Sequence, residues 1–376
     1  MSISRPLVSI LLPKMSGGGI SRTRTALAKG LLETEQVRVE FVLEKGGGVL
    51  QDLIPEGASV HIVGPMRLRQ SVGILAAYYR QRQPAVILTS KELHAFAAIL
   101  ARWVSRDKIG VFPTLHGDFA MRLAKNRSRF EELWLPRAVG LLYRSADAAI
   151  GVSGGVADGL ISATGLPQDK VVAIHNPFNL DAIRAQAIEA APSHPWLAPD
   201  RDRPCLVAAG RLAVQKDYGT LLRAMARVVA HRPARLVILG EGVERGILEE
   251  QVRALGLQDH VSMAGFVPNP FPDIAAADVF ALSSLWEGLP GVLIQAMALG
   301  RQIVSTDCPH GPSEILRKGT LGGLVPVGDD IALAKAICTA LDRPVGTERL
   351  RSRAEDFAAA RITKQYLDLF SAHGAL

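Results

Sequence analysis

The 376-residue chain has few cysteines: Cys205, Cys308 and Cys338 stand far apart, with no CxxC pair and no neighbouring histidine cluster. That spacing excludes a disulfide framework and a zinc site of the usual ligand pattern, and it reads as ordinary thiols of a reducing compartment. Long apolar runs are missing too. Although 48% of the residues are hydrophobic, no run reaches the eighteen or so residues a membrane-spanning helix needs. The N-terminus passes directly into the strand-like Leu7–Leu12, so a cleaved signal is not expected either, and the expectation is a cytoplasmic protein.

Charge is present but uneven. The net formal charge is +7, and the basic excess lies wholly in residues 1–180, where 22 Lys and Arg face 14 Asp and Glu. Within that half, Arg122, Lys125, Arg127 and Arg129 lie near Phe119, Phe130 and Trp134, ahead of the apolar Ala138–Leu142. Basic residues interleaved with aromatics suit peripheral contact with an anionic membrane as well as they suit a solvated helix face. No nucleic-acid partner is expected.

Short β-like runs alternate with helical stretches through both halves. In the first half the runs are Val8–Leu12, Val39–Leu43, Ala85–Leu88, Ile109–Phe112 and Ala148–Val152, with helices over Ser21–Leu32 and Glu92–Val104. The second half repeats the pattern in Cys205–Ala209, Arg235–Leu239, Val261–Ala264, Val279–Leu282 and Gln302–Ser305. Alternation of this kind predicts α/β architecture with two Rossmann-like domains built on parallel sheets. The expected boundaries are residues 1–178 and 205–352, joined by a linker over 179–204 that is helical at Ala185–Ala191 and then rich in proline and charge. A closing helix within 353–376, with Phe357, Ile362, Tyr366 and Leu369 at helical spacing, is expected to pack back on the first domain. In open α/β sheets ligands bind beyond the carboxyl ends of the strands, which predicts a cleft between the domains as the site.

Four segments carry residues suited to chemistry. Glu287-Gly-Leu-Pro-Gly-Val-Leu-Ile-Gln295 sets a carboxylate before a helix and an amide inside it, with Pro290 suited to the first helical position and Gly300 to the residue past the end. The free N–H groups at such a helix start attract anions. Gly210-Arg211-Leu-Ala-Val-Gln-Lys216 follows a strand and offers two cations, each worth on the order of 4 kcal/mol against an anion near 4 Å at an effective dielectric of 20. Gly17-Gly18-Gly19 follows the first strand and permits close approach of a phosphate or sugar, though it matches neither the dinucleotide fingerprint nor the nucleotide-loop motif. His116, in Thr114-Leu-His-Gly-Asp118, stands at a strand end where it can exchange a hydrogen bond with a hydroxyl.

These segments, with VVAIHNPFN, LGEGVER, AGFVPN, STDCPHGPSEIL and the closing FAAARITKQYLDLF, together resemble the retaining glycosyltransferases of family four, and the resemblance covers nearly the whole chain. It implies the GT-B architecture of two facing Rossmann-like domains and transfer of a sugar from a nucleoside-diphosphate donor to a glycan or polyprenol-linked acceptor. By the same resemblance, Arg211 and Lys216 bind the diphosphate in place of a metal, so no metal and no separate cofactor is expected. Glu287 meets donor-sugar hydroxyls, the N–H groups of Gly291 and Val292 meet phosphate or sugar, Val267 lies by the base, and His116 lies beside the donor sugar. Gly17, Gly18 and Gly19 form the loop near the diphosphate and acceptor.

One position departs from the family signature: Gln295 stands where the second glutamate is usual. The family's glutamate there commonly hydrogen-bonds the ribose, and an amide can still do so as donor and acceptor. The TDCPHGPSEIL segment resembles transferases of surface-polysaccharide assembly, which implies a UDP-hexose or UDP-N-acetylhexosamine donor, with GDP-mannose as the alternative. Two other readings are a sugar-nucleotide 2-epimerase, which would require acids and histidines not assembled here, and a non-catalytic sugar-nucleotide binder.

Overall fold

A computed structural model of the chain describes residues 5–16, 18–48, 51–119, 121 and 129–376. The chain divides into two compact units, the first formed by residues up to Phe178 together with Ala358–Leu376, the second by Asn179–Phe357.

In the first unit seven strands, β1 (Leu7–Leu12), β2 (Arg38–Leu43), β3 (Ser59–Ile62), β4 (Val86–Thr89), β5 (Gly110–Leu115), β6 (Ala149–Gly151) and β7 (Val171–Ala173), form a parallel sheet in the order β3-β2-β1-β4-β5-β6-β7. Strands β1 and β4 are buried at every residue, which is why they read as continuous apolar runs rather than alternating ones. Polar residues that enter this core are satisfied. Ser9 and Tyr78 are 2.7 Å apart, Tyr78 donates to Glu40 at 2.6 Å, and Ser59 and Arg82 donate to the same carboxylate. Burial pushes the Glu40 carboxyl up, but the hydrogen bonds from Arg82, Tyr78 and Ser59 together outweigh it and hold the group below its ordinary range.

The closing helix Ala359–Ala372 belongs to this first unit. Ile362, Tyr366 and Phe370 share the core of β1, β2 and β4, and the Phe370 ring lies 4.9 Å from that of Phe112. The helix crosses Gly19–Glu33 at Gly30, where any added Cβ would run into the Thr363 side chain.

The second unit repeats the plan with six parallel strands: β8 (Cys205–Ala209), β9 (Arg235–Leu239), β10 (Val261–Gly265), β11 (Val279–Leu282), β12 (Gln302–Thr306) and β13 (Gly323–Val325), ordered β10-β9-β8-β11-β12-β13. Helix Tyr218–His231 presents Leu221, Leu222, Met225 and Val228 to the sheet, the spacing of a helix with one buried face. Two Rossmann-like units of this kind are the α/β GT-B class of fold.

Every strand read from the sequence is present, within a few residues at the ends. Strands β3, β7 and β13 were not read: β3 is largely exposed and the other two have only three residues each. The helix expected at Ala185–Ala191 lies instead at Leu180–Gln186, because the Asn179 side chain accepts from the Ala182 N–H and starts it earlier. The proline-rich stretch after it is fastened to the second unit by Ser193 on Asp273, His194 on Ser262 and Arg201 on Asp278.

Candidate functional site

In each unit the strand order reverses between the first and fourth strands, and the sequence-predicted residues follow the carboxyl ends of strands beside that reversal (β1, β8, β11) or one or two strands away from it (β5, β10). In the second unit the reversal falls between β8 and β11. The turn after β8 carries Arg211 and Lys216, and the turn after β11 carries Glu287.

Lys216 and Glu287 form an ion pair at 2.6 Å, with side chains 15% and 10% exposed. Ser284 donates to the same Glu287 oxygen at 2.7 Å, while Gln215 donates to the Trp286 carbonyl at 2.9 Å and stands 3.5 Å from the other oxygen. The Glu287 backbone N–H is held by the Pro309 carbonyl, and Thr306 donates to the Ser284 carbonyl at 2.6 Å. The carboxylate is therefore fixed from three directions. Lys216 has three N–H donors, so this pairing leaves it donors for a ligand. Arg211 is exposed, and its side chain makes no hydrogen bond or ion pair among the described residues. Burial, then the neighbouring Glu287 charge, pushes the Cys308 thiol up to about 12, so it stays protonated and unreactive at neutral pH.

Glycine shapes the turn that holds Arg211. Cβ atoms at Gly240 and Gly242 would collide with the carbonyl groups of Gly210 and Leu212, so the Leu239-Gly-Glu-Gly turn after β9 can lie against the turn after β8. Leu212 N–H to the Glu241 carbonyl at 2.9 Å ties the two together.

Asp217 completes the turn in the left-handed region, φ 41°, and its carboxylate accepts from the Thr220 N–H and hydroxyl to cap helix Tyr218–His231. Asp217→Ala should cost about 1–2 kcal/mol through loss of the cap, with Asp217→Asn close to wild type because asparagine both caps and tolerates this backbone. Urea titration of the two variants measures the difference.

Helix Gly291–Ala298 begins one residue later than the sequence suggested: Pro290 is the capping residue, not the first helical one, and Gly300 at φ 71° follows the end as expected. Proline has no N–H, and the N–H groups of Gly291 and Val292 have no acceptor within the helix. Gln295 is half-buried one turn further in, without a side-chain hydrogen bond among the described residues. Val267 sits just past β10 and is half-buried.

In the first unit the reversal lies between β1 and β4. Gly18 and Gly19, which follow β1, are exposed; Gly18 has φ −79°, and a Cβ at Gly19 would meet nothing within 4 Å. These glycines leave room above the backbone rather than serving a left-handed turn. Gly17 lies outside the described residues, as do Arg122, Lys125 and Arg127. Phe119 is buried, a core residue rather than a surface anchor.

His116 follows β5, half-buried, with its Nε2 3.3 Å from a terminal nitrogen of Arg24. Burial first, and the Arg24 charge second, hold this imidazole well below its usual range, so it is neutral at pH 7. Arg24 was not singled out in the sequence, although a signal was there. It occupies a core position of its helix, in phase with Leu27, Ala28 and Leu31. Ser284 was likewise missed, and its signal is its place three residues before Glu287. Among the described residues no cluster of three or more His, Cys, Asp or Glu is placed to hold a metal ion.

A model of glycosyltransferase family 4 matches residues 17–182, and a model of the glycosyl transferases group 1 matches residues 203–343. The chain belongs to the family-four glycosyltransferases. It is 28% identical over 245 residues, 64% of this chain and 64% of the relative, to the N-acetylgalactosamine-N,N'-diacetylbacillosaminyl-diphospho-undecaprenol 4-alpha-N-acetylgalactosaminyltransferase of Campylobacter jejuni. It is 33% identical over 179 residues, 45% of this chain and 50% of the relative, to the lipopolysaccharide core biosynthesis glycosyltransferase LpsE of Rhizobium meliloti. The chain thus spans less than two thirds of the length of these curated relatives. Among solved structures, Anabaena HepE in complex with UDP superposes with a TM-score of 0.78 at 20% identity, covering 98% of this chain and 100% of that one. The lipopolysaccharide outer core galactosyltransferase WaaB superposes at 0.77 with 18% identity, covering 98% and 99%. These two likenesses are of fold.

Proposed function

We propose that the chain is a glycosyltransferase of surface-polysaccharide assembly, moving a hexosyl or N-acetylhexosaminyl group from a UDP-sugar to a glycan or lipid-linked acceptor with retention of configuration. The observation that carries this reading is the Lys216–Glu287 pair at 2.6 Å on the same turn as exposed Arg211, at the reversal point of the second sheet. Arg211 supplies a fork of donors and Lys216 a point charge for the two phosphates, compensating the leaving group without a metal. Glu287 accepts from donor-sugar hydroxyls. The N–H groups of Gly291 and Val292 face an anion at the helix start, Gln295 serves the ribose as an amide, and the backbone at Val267 serves the base. In the first unit His116 serves the donor sugar, and Gly18 and Gly19 serve the diphosphate and acceptor.

Support for a UDP donor comes from the fold likeness to HepE, solved with UDP and with UDP-glucose. Support for a lipid-linked acceptor comes from the C. jejuni relative, whose name specifies a diphospho-undecaprenol substrate. Thermal-shift titration against UDP-, GDP-, ADP- and dTDP-sugars tests the reading. A UDP-sugar at a hundred times its dissociation constant should add about 2.7 kcal/mol to stability, with the shift unchanged by EDTA. Stabilisation by GDP-mannose in preference to UDP-sugars would overturn the donor assignment, and no shift with any of them would overturn the function.

A further inference from the structure

Arg24 is 1% exposed, yet among the described residues it faces no carboxylate. Burying an uncompensated guanidinium costs several kcal/mol, and an apolar residue would suit this helix position without that cost. The partners of Arg24 are all neutral. Its Nε lies 3.4 Å from the Ser90 hydroxyl, one terminal nitrogen donates to the Tyr366 hydroxyl at 3.2 Å, and the other meets His116 Nε2 at 3.3 Å. The guanidinium carbon stands 5.9 Å from the centre of the Tyr366 ring, within cation–π range. Three elements of one unit thus aim a buried cation at one edge of one imidazole.

The consequence follows from donor and acceptor inventory. Arginine cannot accept a hydrogen bond and does not deprotonate in proteins. His116 Nε2 must therefore accept, and a neutral ring that accepts at Nε2 carries its single proton on Nδ1. We propose that Arg24 is a positioning residue that locks His116 in the Nδ1–H tautomer, making it a hydrogen-bond donor, and not a base, toward a sugar hydroxyl. The sugar rests on the functional reading above; the tautomer does not. Among the described residues Arg24, from helix Gly19–Glu33, is the charged group that bears on the ring, while Ser90 after β4 and Tyr366 from the closing helix hold Arg24 through neutral hydroxyls.

The test is 15N NMR of the full chain labelled at histidine, with His116→Asn assigning the resonance. The expected result is a neutral ring protonated on Nδ1, with no titration between about pH 5 and 8. In Arg24→Met the ring should populate both tautomers, while burial, the larger cause of its lowered pKa, still keeps it neutral. With a competent donor and acceptor, kcat should fall by up to about 10²-fold, with donor KM little changed. Arg24→Lys, which still donates to Nε2, should restore the Nδ1–H tautomer and much of kcat. A wild-type ring protonated on Nε2 or on both nitrogens overturns the proposal, as does a folded Arg24→Met whose tautomer is unchanged. If Arg24→Met does not fold, the wild-type and Arg24→Lys spectra decide. If the protein transfers no sugar from any donor, the functional reading fails while the spectra still judge the tautomer.

Discussion

Lys216→Ala should slow sugar transfer by roughly 10²–10³-fold, a loss of about 2.7–4 kcal/mol of transition-state stabilisation. The charge on a departing diphosphate exceeds that on the bound donor, so a cation fixed beside it acts more strongly at the transition state than on the ground state. Lys216 is held in place by Glu287 at 2.6 Å and is only 15% exposed, so its position does not have to be organised during the reaction. Exposed Arg211 lacks that support, and Arg211→Ala should show the larger share of its effect in donor KM. Steady-state rates on purified variants, with circular dichroism as the check on folding, decide the matter. Wild-type turnover in folded Lys216→Ala would remove the diphosphate role.

Glu40→Ala should lower the stability of the first unit by about 3 kcal/mol, the low end of the range for breaking a buried pair. The magnitude is set by what is left behind. Arg82 is 39% exposed and can turn to water, whereas Tyr78 and Ser9 are buried and lose the acceptor that anchors both hydroxyls. Because the folded carboxyl titrates below its usual value of 4.5, the contribution is complete above that pH and is lost as the pH falls through the folded value. Urea titrations of wild type and Glu40→Ala at neutral and acid pH should therefore differ widely at neutrality and converge under acid. A constant difference across pH would contradict the ionised role.

Much of this was legible in the residues. Buried parallel strands announce themselves as short apolar runs such as Cys205–Ala209, and the glycine-rich turns that follow them mark the ends where ligands bind. The parts that were not legible share a physical cause: they depend on partners remote in sequence. Strand β3 is exposed at Ser59, Val60 and Ile62, so it lacks the apolar signature and exists because β2 offers it an edge. The pairing of Lys216 with Glu287 joins residues 71 positions apart; the sequence supplied both groups but not their contact. Arg24 looked like an ordinary helix cation until its neighbours, 66 to 342 residues away, were in place.

That last separation bears on synthesis. Residues up to Phe178 leave the ribosome before the second unit, yet Ile362, Tyr366 and Phe370 of their core, and the hydroxyl that holds Arg24, follow only after it. At about 5–20 residues per second the first unit waits roughly 10–40 s for its final helix, while the second unit, continuous in sequence, can fold in the interval. During that wait the groove on Gly19–Glu33 that receives the closing helix stands open, with an uncovered arginine at its floor. Until the closing helix docks, that face of the nascent first unit stays open to chaperones and proteases.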